Sequence, residues 1–90
     1  MLLVFFLATA LQNRNMKYLD LDQLSSLIYR RRRKQKVSQE QLASKMRIRR
    51  ETYGGKENEP GKLTVYELNR LAVQLGTSAA ELLQEATKEI

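Results

Sequence analysis

From residue 19 onward, apolar residues recur at three- and four-residue intervals: Leu24, Leu27 and Ile28; Leu42, Ala43 and Met46; Leu68, Leu71, Ala72 and Leu75; Leu82, Leu83 and Ala86. This is the spacing of one face of a helix. Each run is preceded by the same start signal, a residue able to cap a helix followed three positions later by Glu or Gln. Asp20 with Gln23, Ser38 with Gln41, Thr64 with Glu67 and Ser78 with Glu81 are the four instances. Leu19, Val37 and Leu63 add the apolar residue before the cap, which only the last instance lacks. Gly76 predicts a left-handed helix stop, and Pro60-Gly61 in "NEPGK" predicts the end of an intervening short helix. No alternating run long enough for a buried strand remains, and nothing repeats at a solenoid period. The fold class expected is all-α.

That short helix sits in "KM-RIR-RE", where about three residues separate two helical segments, the spacing of a helix-turn-helix. Leu42, Ala43, Met46, Ile48 and Tyr53 would face the core, with Ala43 small where the two helices approach. Arg49, Arg50, Glu51 and Thr52 then point outward at the start of the second helix.

Charge sharpens this picture. Sixteen Lys and Arg face ten acids in 90 residues, for a net charge of +6. Ten of those bases, Arg30 to Arg33, Lys34, Lys36, Lys45, Arg47, Arg49 and Arg50, lie in one segment whose single acid is Glu40. Six bases against nine acids remain elsewhere, so one face is set apart for a polyanion. The chain has no Cys and no His, hence no disulfide frame, no thiolate site, and neither the commonest metal ligand nor the commonest general base. No activated nucleophile and no paired carboxylates are evident, so the expectation is a non-enzyme without cofactor or metal. A loop resembling a phosphate cradle, "GGKENEPGKLT", has Lys56 at the first glycine position and Leu63 at the required hydroxyl position, and is dismissed.

The opening "MLLVFFLATAL" is apolar, but no base precedes it and it is too short to span a membrane. Residues 1–15 are therefore set apart as an upstream extension, a flexible tail or a greasy dimer contact, and residues 16–90 as one domain. Ninety residues leave little room for a second core.

These residues carry a resemblance. "VSQEQLASKM" and "ELNRLAVQLGTSAAELL" look like the first motif helix and the last two helices of the phage repressor and Cro proteins, the XRE-type helix-turn-helix family, over residues 24 to 83. The resemblance implies a five-helix, repressor-like DNA-binding domain, usually dimeric, whose second motif helix reads bases. It implies that Gln39 reaches phosphate or a base, that Arg50, Glu51 and Gly55 face the groove, and that Asn58 and Lys62 lie near the DNA backbone. It also implies an interior ion pair of Arg32 with Glu57. Arg47 stands where the family often has a turn glycine, Arg31 and Lys56 stand at usually apolar positions, and Glu59 replaces a frequent glycine. Imperfect packing of the third helix is expected from these departures.

The DNA-binding residues expected are Ser38, Gln39, Arg49, Arg50, Glu51, Thr52, Gly54, Gly55, Asn58 and Lys62. Arg50 suits guanine, Glu51 the cytosine amino group, and Thr52 a thymine methyl. Arg49 or Arg50 could instead serve only phosphate. Glu51 is the more telling residue, since a carboxylate among phosphates costs affinity unless it reads a base or pairs with a neighbouring arginine. Gly54 and Gly55 each cost about 1 kcal/mol of helix stability relative to Ala, and either allow close backbone approach to DNA or mark a frayed end. Four consecutive arginines spread around a helix, so Arg32 is expected inside and Arg30, Arg33 and Lys34 in solvent or near phosphate.

The function expected is a cytoplasmic, sequence-specific regulator of transcription, a repressor binding operator half-sites of double-stranded DNA as a homodimer. The dimer would form through Leu83, Ala86 and Ile90 or through the apolar N-terminus. An antitoxin partnered by a toxin, a protein-interaction module with weakened base reading, and a membrane-associated adaptor are the alternatives; no membrane partner is expected.

Overall fold

The computed structural model describes residues 16–89. The apolar stretch 1–15 and Ile90 lie outside them, and with them the expectations placed there. The chain runs β1 (Lys17–Leu19), α1 (Leu21–Lys34), α2 (Gln39–Met46), α3 (Arg50–Asn58), a 3₁₀ turn (Pro60–Lys62), α4 (Val65–Gln74), α5 (Ala79–Glu85) and β2 (Thr87–Glu89). All five helices expected are present.

The four start signals act as caps. The side chains of Asp20, Ser38, Thr64 and Ser78 each accept from the backbone N–H three residues on. At Ser38 and Thr64 the return bond from the cap N–H to Gln41 or Glu67 closes a reciprocal box. Asp20 has no N–H left for Gln23, because it donates to the Ala86 carbonyl at 2.8 Å.

Three helices end alike. The N–H groups of Lys36 and Val37 return to Arg33 and Arg32, those of Arg47 and Ile48 to Ser44 and Ala43, and those of Gly76 and Thr77 to Val73 and Ala72. Each ending needs one left-handed residue. Gly76 meets the need at φ 72°, whereas Lys36 and Arg47 meet it at φ 57° and 58° despite carrying a Cβ.

The core is formed by one stripe from each helix, with Ile28, Leu42, Tyr53, Leu71, Leu75 and Leu82 fully enclosed and Val37, Ile48 and Leu83 packed against its edge. Ala86 is also fully enclosed. This removes Ala86 alone from the expected dimer contact, since a methyl filling its own protomer's core has no surface to offer a second copy; Leu83 is partly buried, and Ile90 lies outside the described residues.

A feature the hydrophobic pattern did not announce is the exposed two-stranded ribbon, in which β1 and β2 pair antiparallel with Lys17 opposite Glu89, Tyr18 opposite Lys88 and Leu19 opposite Thr87. Three-residue strands carry too little alternation to be read from sequence. They exist because α1 and α5 pack side by side and bring the two ends of the domain together.

The packing defect expected for the third helix is also corrected. Lys56 donates to Glu67 Oε1 at 2.6 Å, and Arg31 donates to Glu85 Oε1 at 2.8 Å. Charged residues at usually apolar positions are thus ion pairs, part-buried for Lys56 with Glu67 and exposed for Arg31 with Glu85, that tie α3 to α4 and α1 to α5.

Candidate nucleic-acid interface

The turn Arg47-Ile48-Arg49 sets the start of α3 beside the start of α2. The two helix starts differ in one respect. α2 has its first amides closed by Ser38 and Gln41, whereas α3 begins at Arg49 with no side-chain cap. The first N–H groups of α3 therefore point out unsatisfied, at the positive end of the helix dipole. Arg49, Arg50, Glu51 and Thr52 are all exposed there. Among the described residues Glu51 has no cationic partner within ion-pair distance. The arginine pairing that would have explained it is absent from this surface.

An open polar groove runs from the C-terminal end of α1 across the start of α2 to the start of α3. Arg33, Lys36, Ser38, Gln39, Glu40 and Arg50 line it. Sequence reasoning placed Arg33 near phosphate and counted Lys36 in the basic segment, but did not name Lys36 among the DNA-binding residues; the left-handed end of α1 turns it towards the start of α2. The available signal was its position as the penultimate residue before the Ser38 cap.

Gly54 and Gly55 separate in role. An added Cβ on Gly54 would lie 3.4 Å from Gln39 Oε1, so Gly54 is where the Gln39 side chain rests on α3. A Cβ on Gly55 would meet nothing within 4 Å. α3 continues past both to Asn58, which overturns the frayed-end alternative.

Beneath the groove, Arg32 and Glu57 form the expected interior pair. Arg32 donates from Nε and one terminal nitrogen to the two Glu57 oxygens at 2.9 and 3.1 Å, and from the other terminal nitrogen to the Val37 carbonyl at 3.1 Å. Tyr53 Oη donates to Glu57 Oε2 at 2.6 Å, and Ser25 Oγ to the Glu57 carbonyl at 2.7 Å. Every buried side-chain nitrogen and oxygen among the described residues has a partner. Burial, with the hydrogen bond to Glu57, pushes the Tyr53 phenol far above its ordinary range, and it stays a donor. The bond to Glu57 raises Arg32 further and keeps it charged. This network ties α1 to α3, whose Arg33 and Arg50 line the same groove.

Asn58 and Lys62 lie at the other end. Eight residues of helix, about 12 Å, separate Arg50 from Asn58, which borders a second groove with Ser26, Tyr29 and Arg30 on α1. Lys62 is exposed and 3.4 Å from Glu59. The surface is thus split into a dense patch at the starts of α2 and α3 and a separate pair at the end of α3. No cluster of metal-ligand side chains occurs among the described residues.

A family model described as "Helix-turn-helix" matches residues 28–82, more than half of the chain. Among solved structures, the hydroxypropylphosphonic acid epoxidase from S. wedmorenis is 35% identical, with TM-score 0.64, covering 72% of this chain and 35% of that one. FeII HppE in complex with substrate is 34% identical with TM-score 0.62, covering 70% and 36%. Apo-HppE is 34% identical with TM-score 0.63, covering 73% and 36%. The chain spans about a third of the length of these solved chains. No curated protein matches it.

Proposed function

The chain belongs to the helix-turn-helix family, XRE type, of DNA-binding transcription regulators, and from that premise we propose that it is a repressor that binds operator half-sites as a homodimer. The observation that carries the proposal is the uncapped start of α3, with Arg49, Arg50 and unpartnered Glu51 exposed beside a basic groove. Its free amides and arginines suit phosphate, and Glu51 suits a base-edge amino group. One such module buries roughly 600 to 1,000 Å² of its own surface on DNA, short of what tight specific binding uses, so two copies on a palindrome are expected. We place it in the cytoplasm and assign it no catalysis; among the described residues no helix is long and apolar enough to cross a membrane.

The test is selection of bound duplexes from a random pool by the full chain. A palindromic consensus with half-site centres about 34 Å apart supports the reading. Arg50→Ala is then expected to lose about 1 to 3 kcal/mol of discrimination at one base pair; equal loss on all duplexes assigns Arg50 to phosphate alone.

A second reading is favoured by the likeness to part of an epoxidase. On that reading the helical module serves protein contacts within a larger catalytic assembly, and its cations attract DNA without reading it. Selection would then return no consensus, and binding would simply fade with salt.

A further inference from the structure

Ribbon strand β1 presents a hydrogen-bonding edge that matches itself. The Asp20 N–H bond to the Ala86 carbonyl continues the ribbon one step beyond Leu19 and Thr87, which makes Asp20 opposite Ala86 a hydrogen-bonded position. Such positions alternate along an antiparallel pair. Tyr18 opposite Lys88 is therefore also hydrogen-bonded, and Lys17 and Leu19 turn their N–H and C=O groups away from β2 to the open edge. Neither Lys17 nor Leu19 makes a backbone bond outside the ribbon among the described residues.

We infer that this edge is a contact between two copies of the chain, β1 pairing antiparallel with the partner's β1 about a two-fold axis at Tyr18. Lys17 and Leu19 are the residues with outward groups, and the axis sets Lys17 of each copy opposite Leu19 of the other. Four backbone hydrogen bonds close, and no group on either edge meets its own kind. Tyr18 then faces its symmetry mate at the non-hydrogen-bonded position, where Cα atoms approach to about 4.5 Å and an aromatic pair stabilises most. Tyr18 and Leu19 are 47% and 40% exposed in one copy, so both have surface to bury. The stem of Lys17 covers the partner leucine while its ammonium stays in water.

The other edge of the ribbon repeats this backbone pattern at Thr87 and Glu89, but its side chains do not match themselves. A two-fold axis on β2 would set Lys88 against Lys88, like charges directly opposite. Lys88 is in addition held by Asp20 Oδ2 at 2.9 Å. The remaining rival is α4, where Val65, Tyr66 and Val73 are exposed; it offers apolar atoms but no unpaired backbone and no register.

The inference supplies the contact for the homodimer proposed above and rests on that reading only for the dimer's purpose. Its test needs no DNA. The chain contains no cysteine, so single cysteines report unambiguously. Tyr18→Cys, Lys88→Cys and Val73→Cys are each made in the full chain and exposed to oxidised glutathione at micromolar protein. A Cα separation near 4.5 Å lies within disulfide reach, about 4.4 to 6.8 Å. Tyr18→Cys is expected to cross-link on the order of tenfold faster than the other two.

Tyr18→Lys, an exposed substitution, is expected to raise the dimer dissociation constant about tenfold by replacing an aromatic pair with like charges. Sedimentation equilibrium reads this, with helical circular dichroism confirming the fold. Cross-linking fastest at Val73 or Lys88, none at Tyr18, or a dimer indifferent to Tyr18→Lys would overturn the inference. A β1 dimer that selects no DNA consensus would keep it and sink the repressor reading instead.

Discussion

At the scale of single residues, two charged side chains occupy places a generic sequence would give to something else. Arg32 is buried with Glu57, and both donors and acceptors are filled by Val37 and Tyr53. A pair of this kind adds little over an apolar substitute, but removing one member strands the other. Arg32→Ala is accordingly expected to cost about 3 to 5 kcal/mol of folding stability, read by urea denaturation, while DNA affinity corrected for the folded fraction changes less. Unchanged stability would remove the pair from the framework. Arg47 is the opposite case, an exposed cation held at φ 58° where glycine is unstrained. The left-handed region costs a residue with a Cβ roughly 1 to 2 kcal/mol, partly offset because glycine is freer in the unfolded chain. Arg47→Gly is expected to raise the melting temperature and, if the charge meets phosphate, to lower the salt dependence of DNA binding by about one counterion. A melting temperature that falls would mean the arginine makes a stabilising contact. The resemblance to the family pointed to both residues: one as half of an interior ion pair, the other by standing where the family often has a turn glycine.

At the scale of elements, α3 and its tie to α4 decide the shape of the surface. Gly55 is helical, exposed and surrounded by open space, so nothing in the protein needs it to be glycine. Gly55→Ala is expected to stabilise the fold by about 1 kcal/mol. A stabilised variant that binds DNA more weakly would put the Gly55 backbone against the duplex, and one that binds as well would leave it without a role there.

The Lys56–Glu67 link has a pH signature. Partial burial alone would raise the Glu67 carboxyl, but hydrogen bonds from Lys56 and the Thr64 N–H outweigh it and hold it below its ordinary 4.5. A carboxyl depressed on folding binds its proton more readily in the unfolded chain. Its stabilisation is complete above about pH 4.5 and is lost as pH falls through the folded value. Asp20, depressed by the Gln23 N–H and then by Lys88, acts in the same direction. Urea midpoints between pH 7 and 3 are expected to fall in the acid range, and less steeply for Glu67→Gln; an equally steep fall would place the acid sensitivity elsewhere. The capping role of Glu67 was legible from its spacing to Thr64. Its partnership with Lys56 was not, because ten residues, with the 3₁₀ turn among them, lie between the two.

At the scale of the whole molecule, the charge is divided rather than spread. Ten bases lie between residues 30 and 50, on the elements that meet at the groove, and the rest of the chain is mildly acidic. DNA affinity is therefore expected to fall linearly with the logarithm of salt, at a slope set by the number of phosphates engaged. A flat salt response in filter-binding or anisotropy titrations would contradict a phosphate-facing groove. The ribbon lies outside the matched residues 28–82 and joins the two ends of the described domain. It thus leaves the surface at α3 free while offering an edge to a second copy.

Sequence alone determined α1, α2, α4 and α5, their starts and the apolar stripe of each, because caps and periodicity are local and need no knowledge of the fold. It also determined the turn between α2 and α3, since about three residues separate two helical segments whose Met46, Ile48 and Tyr53 can all turn towards the core. The tertiary structure decided everything that depends on distant residues meeting. It enclosed Ala86, coupled Arg31 and Lys56 to acids on other helices, laid Gln39 over Gly54, and brought residues 17–19 against 87–89. Those contacts are set by how the helices pack, and packing is a property of the assembled core that no window of the sequence contains.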